Sequence, residues 1–205
     1  MHWLDPDYLP QTTGTLKQFV LNPHADIDGL LLTDGTEIHT PPHLSASLLR
    51  VLAPGAKLSV RGVKPRDSDV IVALAIDPAK GKRIVDDGPG AKHEKKPSSG
   101  KKSGKAVNHS GQIECLLHGP KGNVHGVLLM DGMFVRFAPH TAESLSDLLV
   151  VKGMVSVRGH SHANEHGTVI EADAIGSDME ALRDIASHEK PKHPKPHPKK
   201  PKKAP

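Results

Sequence analysis

Three side chains in the stretch LLLTDGTEIHTPPHL, residues 30 to 44, are of types that do chemistry: Asp34, His39 and His43. Two imidazoles four positions apart read as half of a zinc shell, and an imidazole near a carboxylate reads as a general base with its acid. Comparison within the chain removes both readings. A shift of 97 positions lays the stretch over VLLMDGMFVRFAPHT, residues 127 to 141, where Asp34 meets Asp131 and His43 meets His140, but His39 meets Arg136. Arginine does not ligate a metal, so no ligand pair is common to the two copies. Asp34 and Asp131 each precede glycine, the signature of a tight hairpin turn whose carboxylate bonds its own backbone. His43 and His140 each follow proline at a corner and have a structural role there. We therefore expect no metal, no cofactor and no catalytic residue, and an outward place for His39 and Arg136 on a strand.

The match around these residues is long. From Gly14–Gly62 to Gly111–Gly159 it runs without a gap, with sixteen identities in 49 positions, including Ser59-Val60-Arg61-Gly62 against Ser156-Val157-Arg158-Gly159. After a two-residue insertion it resumes with VIVALAI, residues 70 to 76, against VIEADAI, residues 169 to 175. The chain is an internal duplication of a unit of about 65 residues.

Each unit reads as three strands, a helix and two strands. TLKQFVL and QIECLLH are first strands, and the irregular spacing of Leu16, Phe19 and Leu21 predicts a bulge. GLLLTDGTEI and GVLLMDGMFV are hairpins. LSASLLRVL carries Leu44, Leu48, Leu49 and Leu52 on one helical face with Ser45 as N-cap, and TAESLSDLL repeats the pattern with Thr141, Leu145, Leu148 and Leu149. KLSVRG and MVSVRG alternate as fourth strands, which points Leu58 and Val60 inward and Lys57, Ser59 and Arg61 outward. VIVALAI and VIEADAI close the units as fifth strands.

That element order, with DGLLLTDGTEIHTPPHLS followed by KLSVRG, resembles bacterial OB-fold domains of the nucleic-acid-binding type, and a small bacterial protein group built from them. The resemblance implies an all-β chain with two small five-stranded OB-fold barrels, each with a helix between strands three and four, joined by a flexible linker. The expected organisation is an extension over 1–13, barrels over 14–76 and 111–176, a basic linker over 77–110, a short helix over 177–189 and a disordered Lys/Pro/His tail over 190–205. The resemblance also implies a binding face over strands two and three, bordered by the loops between strands one and two and between strands four and five. Carried onto this chain, the candidates are Lys17, His39, Arg61, Lys64 and Arg66 in the first unit, and Lys121, Arg136, Phe137, Arg158 and His160 in the second.

Charge and composition narrow the function. Residues 14–76 hold six basic and six acidic side chains, and residues 111–176 hold four and seven. Residues 77–110 hold nine and four, and residues 177–205 hold eight and four, so the formal charge of +4 arises outside the two units. Lys190, Lys192, Lys195, Lys199, Lys200, Lys202 and Lys203 give the tail a salt-sensitive, sequence-blind attraction for phosphate chains. Aromatic residues make up only 2% of the chain, and of Phe134 and Phe137, three apart on a strand, at most one faces out, so base stacking is scarce. The single Cys115 excludes a disulfide framework, and no apolar run reaches membrane length. The amino end carries acids and prolines instead of a basic start and apolar stretch, which reads as cytoplasmic. The expectation is a non-enzymatic protein that binds DNA or RNA weakly; the alternative is a protein-interaction or scaffold module, favoured by the net charge of the second unit.

Overall fold

The computed structural model describes residues 5–66, 68–88 and 104–185. The first unit contains β1 (Gln11–Leu21), β2 (Ile27–Leu32), β3 (Glu37–His39), α1 (Ser45–Val51), β4 (Lys57–Val63), β5 (Ile71–Pro78) and β6 (Ile84–Val85). The second contains β7 (Lys105–His118), β8 (Val124–Leu129), β9 (Phe134–Arg136), β10 (Met154–Asn164), β11 (Gly167–Gly176) and β12 (Arg183–Asp184).

The first strand of each unit serves two neighbours. Residues 11–15 of β1 pair with β4, and residues 16–21 pair with β2. The change of partner occurs at a register shift between Leu16 and Gln18, matched in β7 between Ile113 and Cys115. This is the bulge that the irregular apolar spacing predicts, and its added coil lets one strand leave one neighbour for another. A second shift falls at the repeated Ser-Val-Arg-Gly, between Arg61 and Gly62 and between Arg158 and Gly159. A Cβ on Gly62 would lie 2.3 Å from the Val72 carbonyl oxygen, and one on Gly159 2.1 Å from that of Glu171. Only glycine permits that approach, which accounts for its place in both copies.

The two sheets differ in closure. In the second unit the pairings run β7-β8-β9-β11-β10 and return to β7, with nine residue pairs between β10 and β11 and three between β9 and β11. This is the closed five-stranded barrel of the OB type, with β12 added outside β11. The first unit is a six-stranded sheet in the order β3-β2-β1-β4-β5-β6, and β3 touches β5 only through Ile38 with Ile71 and His39 with Val72. The expectation of two five-stranded OB-fold barrels is therefore corrected to one barrel and one six-stranded sheet. The physical reason lies between the fourth and fifth strands. Glu165 and His166 turn β10 directly into β11, whereas Pro65 lies in the stretch between Val63 and Ile71, where it supplies no amide to a ladder.

The helix is also unequal. In α1, Leu48 is fully buried, and Ser45 does not cap; its hydroxyl donates to the Ile27 carbonyl at 2.8 Å and ties the helix to β2. No α-helix forms at the equivalent place in the second unit, where Pro139–Thr141 and Glu143–Leu145 make separate 3-10 turns. There the Thr141 hydroxyl donates to the Ala138 carbonyl at 2.6 Å and the Ser144 hydroxyl to that of Thr141 at 2.8 Å, side-chain bonds that compete with helix continuation. Leu145 and Leu149 are still buried, so the apolar plug survives without the helix.

The described parts of the joining segments pair with the two sheets. Within the span expected as a flexible linker, β6 buries Ile84 and β7 begins at Lys105. Where a helix is expected after Ser177, Arg183 and Asp184 pair with β11 as β12, and Ile185 packs against the barrel core. Residues 89–103 and 186–189 lie outside the described residues.

The units also share a core. Leu117, Leu128, Phe134 and Val169 of the second unit belong to the same buried cluster as Leu16, Leu21, Leu30 and Ile38 of the first.

Candidate nucleic-acid interface

The face expected to bind a ligand is where the two units meet. Arg136, on the three-residue β9, is 2% exposed and reaches into the first unit. Its Nε donates to the Leu21 carbonyl at 2.7 Å, and its Nη2 to Asp28 Oδ1 at 3.0 Å. His125 completes the set: its Nδ1 lies 3.1 Å from the Leu117 carbonyl oxygen, and Arg136 Nη1 stands against the same ring, 2.8 Å from Nδ1 and 3.1 Å from Nε2. The expectation of an outward Arg136 is thus corrected. Strand alternation does point it away from its own barrel, but the other unit stands there.

Positions equivalent in the duplication meet at this contact. Lys17 pairs with Glu114, its own counterpart 97 residues on. Asp28 and Arg136 form one ion pair, and their counterparts His125 and His39 line the same small space with them. The Glu37 carboxylate accepts from the His118 backbone amide at 2.9 and 3.0 Å and lies 3.1 Å from His118 Nδ1; the counterparts, Phe134 and Leu21, share the common core. The tip between β10 and β11 reaches across as well. Asn164 donates to the Ala25 carbonyl at 2.7 Å, and His166 meets Phe19 edge to face. Equivalent positions of the repeat thus meet across the contact with complementary side chains.

Burial sets the electrostatics of this contact. Desolvation lifts the Asp28 carboxyl to about 6 against the opposing pull of Arg136. Burial first, and then the Arg136 cation, depress His125 to about 3. Burial also lowers His39, with Glu37 pulling the other way. At neutral pH the site holds a buried ion pair and a neutral His125 that accepts a hydrogen bond.

The other sequence candidates are dispersed. Arg61 donates to the Asp7 and Leu9 carbonyls at 3.1 and 3.4 Å and holds the segment before β1. Arg158 donates to Asp184 Oδ1 at 2.6 Å and holds β12. His160 Nδ1 lies 2.9 Å from Asp173 Oδ2. Arg158, His160 and Asn108 line one shallow cavity of about 340 Å³ on the outer face of β7 and β10. Lys64 pairs with Asp69 at 2.6 Å, and Arg66 and Lys121 are exposed on loops. Phe137 is buried, as are Phe19 and Phe134, so none presents a stacking face. Lys190, Lys192, Lys195, Lys199, Lys200, Lys202 and Lys203 lie outside the described residues.

The residues read as structural fit that role. Asp34 Oδ1 accepts from the Thr36 amide at 2.9 Å and Asp131 Oδ1 from that of Met133 at 3.1 Å, around glycines at φ of +88° and +86°. His43 Nε2 lies 2.9 Å from Asp86 Oδ1, beside β6. Among the described residues, no group of three or more His, Cys, Asp or Glu is placed to hold a metal ion, and no helix is long and apolar enough to cross a membrane. Asp28, Glu37, His118 and His125 were missed by sequence reasoning. The signal was in the duplication: Lys17 aligns with Glu114, Asp28 with His125 and His39 with Arg136, and all six lie at the contact between the units.

No family model matches the chain, and no curated protein matches it. Among solved structures, the wild-type single-stranded DNA binding protein from Thermus aquaticus matches at 16% identity over 81% of this chain and 90% of that chain, with a TM-score of 0.25. A deletion mutant of the same protein matches at 16% identity over 87% of this chain and 96% of that chain, again with a TM-score of 0.25. Scores this low do not superpose the molecules and carry no weight for what this chain binds.

Two outcomes are expected from the Arg136 contact. Arg136→Ala strands the Asp28 carboxylate and the Leu21 carbonyl and lowers unfolding stability by roughly 3–5 kcal/mol, measured by urea denaturation, whereas Arg136→Met with Asp28→Leu recovers most of that loss. The second concerns pH. Below about 6.5 the unfolded chain protonates His125 and the folded chain does not, so stability falls as pH drops toward 3. Asp28 acts in the opposite sense between about 4 and 6, because there the folded state takes up the proton first. Between pH 6.5 and 4.5 the larger His125 shift, reinforced by His39, prevails and wild-type stability decreases. His125→Gln flattens or reverses that slope in thermal melts.

Proposed function

We propose that the chain is a non-catalytic nucleic-acid-binding protein that grips backbone phosphates without reading bases. The observation that carries this is the partition of charge. Seventeen of the 27 Lys and Arg residues fall in 77–110 and 177–205, while Lys17, Lys64, Arg61, Arg136 and Arg158 inside the units are engaged by carboxylates. The barrel and sheet then act as a body that holds basic segments together, and tethering raises their joint affinity. The face over β2 and β3 has no part in this reading, because the other unit covers it. Arg66, Lys121 and the Arg158–His160 cavity are folded surfaces that can still contribute. Burial of all three phenylalanines leaves Tyr8 as the exposed Phe or Tyr ring among the described residues, which favours backbone contact over a stacking platform.

A second reading, an interaction module for protein, is favoured by a separate observation: the second unit has a net charge of minus three, which repels phosphate.

The test is titration of labelled single-stranded DNA, RNA and duplex DNA at two salt concentrations, with the full chain and with Lys190–Pro205 deleted. Binding should weaken steeply with salt for every sequence tried, and deletion of the seven tail lysines should lower affinity at least tenfold and flatten the salt slope, each lost duplex phosphate contact removing about 0.9 from it. Absence of binding by the full chain at low salt rules the reading out.

A further inference from the structure

Four of the large apolar side chains exposed on the described surface gather at one end of the barrel: Met130 and Met154, each 57% exposed, Val150 at 55% and Val151 at 49%. They surround Gln112. Met154 is its cross-strand partner, the Met130 amide donates to its carbonyl at 2.9 Å, and its own side chain donates to the Lys152 carbonyl at 2.8 Å. A contiguous apolar area of this kind on a water-facing surface marks a contact site.

The duplication supplies a control that a single domain lacks. The first unit meets the same turns and strand ends with Thr33, Ala53, Pro54 and Lys57 in place of Met130, Val150, Val151 and Met154. Folding of the unit therefore does not demand apolar residues there, and the second unit carries them for another reason. Methionine is suited to that reason, being an adaptable and polarisable contact residue.

Charge selects the occupant. Lys152 lies within the patch, exposed, where the first unit has Gly55. It holds a left-handed backbone, φ +68°, that a glycine would adopt more readily. Asp131, beside Met130, is 44% exposed at the edge, with Oδ2 2.7 Å from His109 Nε2. A surface with apolar residues, one cation and one carboxylate is complementary to itself across a two-fold axis. We infer that this patch is the contact surface for a second copy of the chain, with Lys152 of one copy set against the partner's Asp131. The inference is independent of nucleic-acid binding. Four apolar side chains fall short of the roughly 20–30 residues a side of stable complexes, so the dimer is weak.

Sedimentation equilibrium of the full chain tests this, over roughly 10 µM to 1 mM and at about 0.15 M salt to screen the basic segments. The mass should climb from 21.9 kDa toward twice that value. Met130→Thr, Val150→Ala and Met154→Lys combined install residues that the first unit carries, and should hold the mass at 21.9 kDa with an unchanged circular dichroism spectrum. Lys152→Glu keeps the apolar surface and reverses the charge, and should weaken association about tenfold. A wild-type mass that stays at one chain at the highest concentration overturns the inference. So does association undiminished in the folded triple variant, or, if that variant does not fold, undiminished in Lys152→Glu; either places any contact on another surface, or with another kind of partner.

Discussion

The buried guanidinium of Arg136 is the constraint on which the rest of this molecule depends. A cation taken out of water costs several kcal/mol unless it is paired and its donors are filled. Here the carboxylate comes from Asp28 on β2, an acceptor from Leu21 at the end of β1, and a neutral imidazole from its own unit. Two of those three partners belong to the first unit. Arg136 is satisfied only when the units are together, and β1 and β2 of the first unit are positioned by meeting it.

This arrangement changes what the duplicated unit can do. A small barrel whose second and third strands face water offers them to a ligand, but here each unit offers them to the other. The outer cations are also committed: Arg61 and Arg158, at the same place in the repeat, hold the terminal segments through Asp7 and Asp184. Among the described residues, a shallow cavity on the outer face of β7 and β10, exposed cations such as Arg66 and Lys121, and the apolar end of the second unit stay open. A ligand therefore meets the periphery of the fold and the basic segments, not its central face.

Much of the architecture could be read from the residues. The 97-residue register located both units and their Asp-Gly turns, the irregular apolar spacing of the first strand gave its bulge, and alternation along the fourth strand assigned Leu58 and Val60 to the interior, where they are 4% and 1% exposed. The exchange of His39 for Arg136 between the copies gave their outward direction relative to their own units. It did not say what stood opposite, because an aligned pair reports on its own position in the unit and the contact joins residues more than 100 positions apart. The second helix failed for a related reason: apolar periodicity survives in Leu145 and Leu149, but hydroxyl back-bonding by Thr141 and Ser144 decides the backbone. Barrel closure was read equally into both halves, yet the pairings that would close them are unequal: the third strand meets the fifth over three residue pairs in the second unit and two in the first, and the fourth meets the fifth over nine and six. Asp28, silent in a single copy of the motif, becomes visible when His125 is placed beside it as its counterpart.

Hydrogen–deuterium exchange of the full wild-type chain, under conditions that favour the native state, tests the central claim most directly. If Arg136 and the shared core make the two units one cooperative body, the slowest amides of β1 and β2 and those of β7 and β8 will exchange with the same opening free energy and respond identically to low urea. Exchange of the first unit through a lower-energy opening, with the barrel of the second still fully protected, would contradict it.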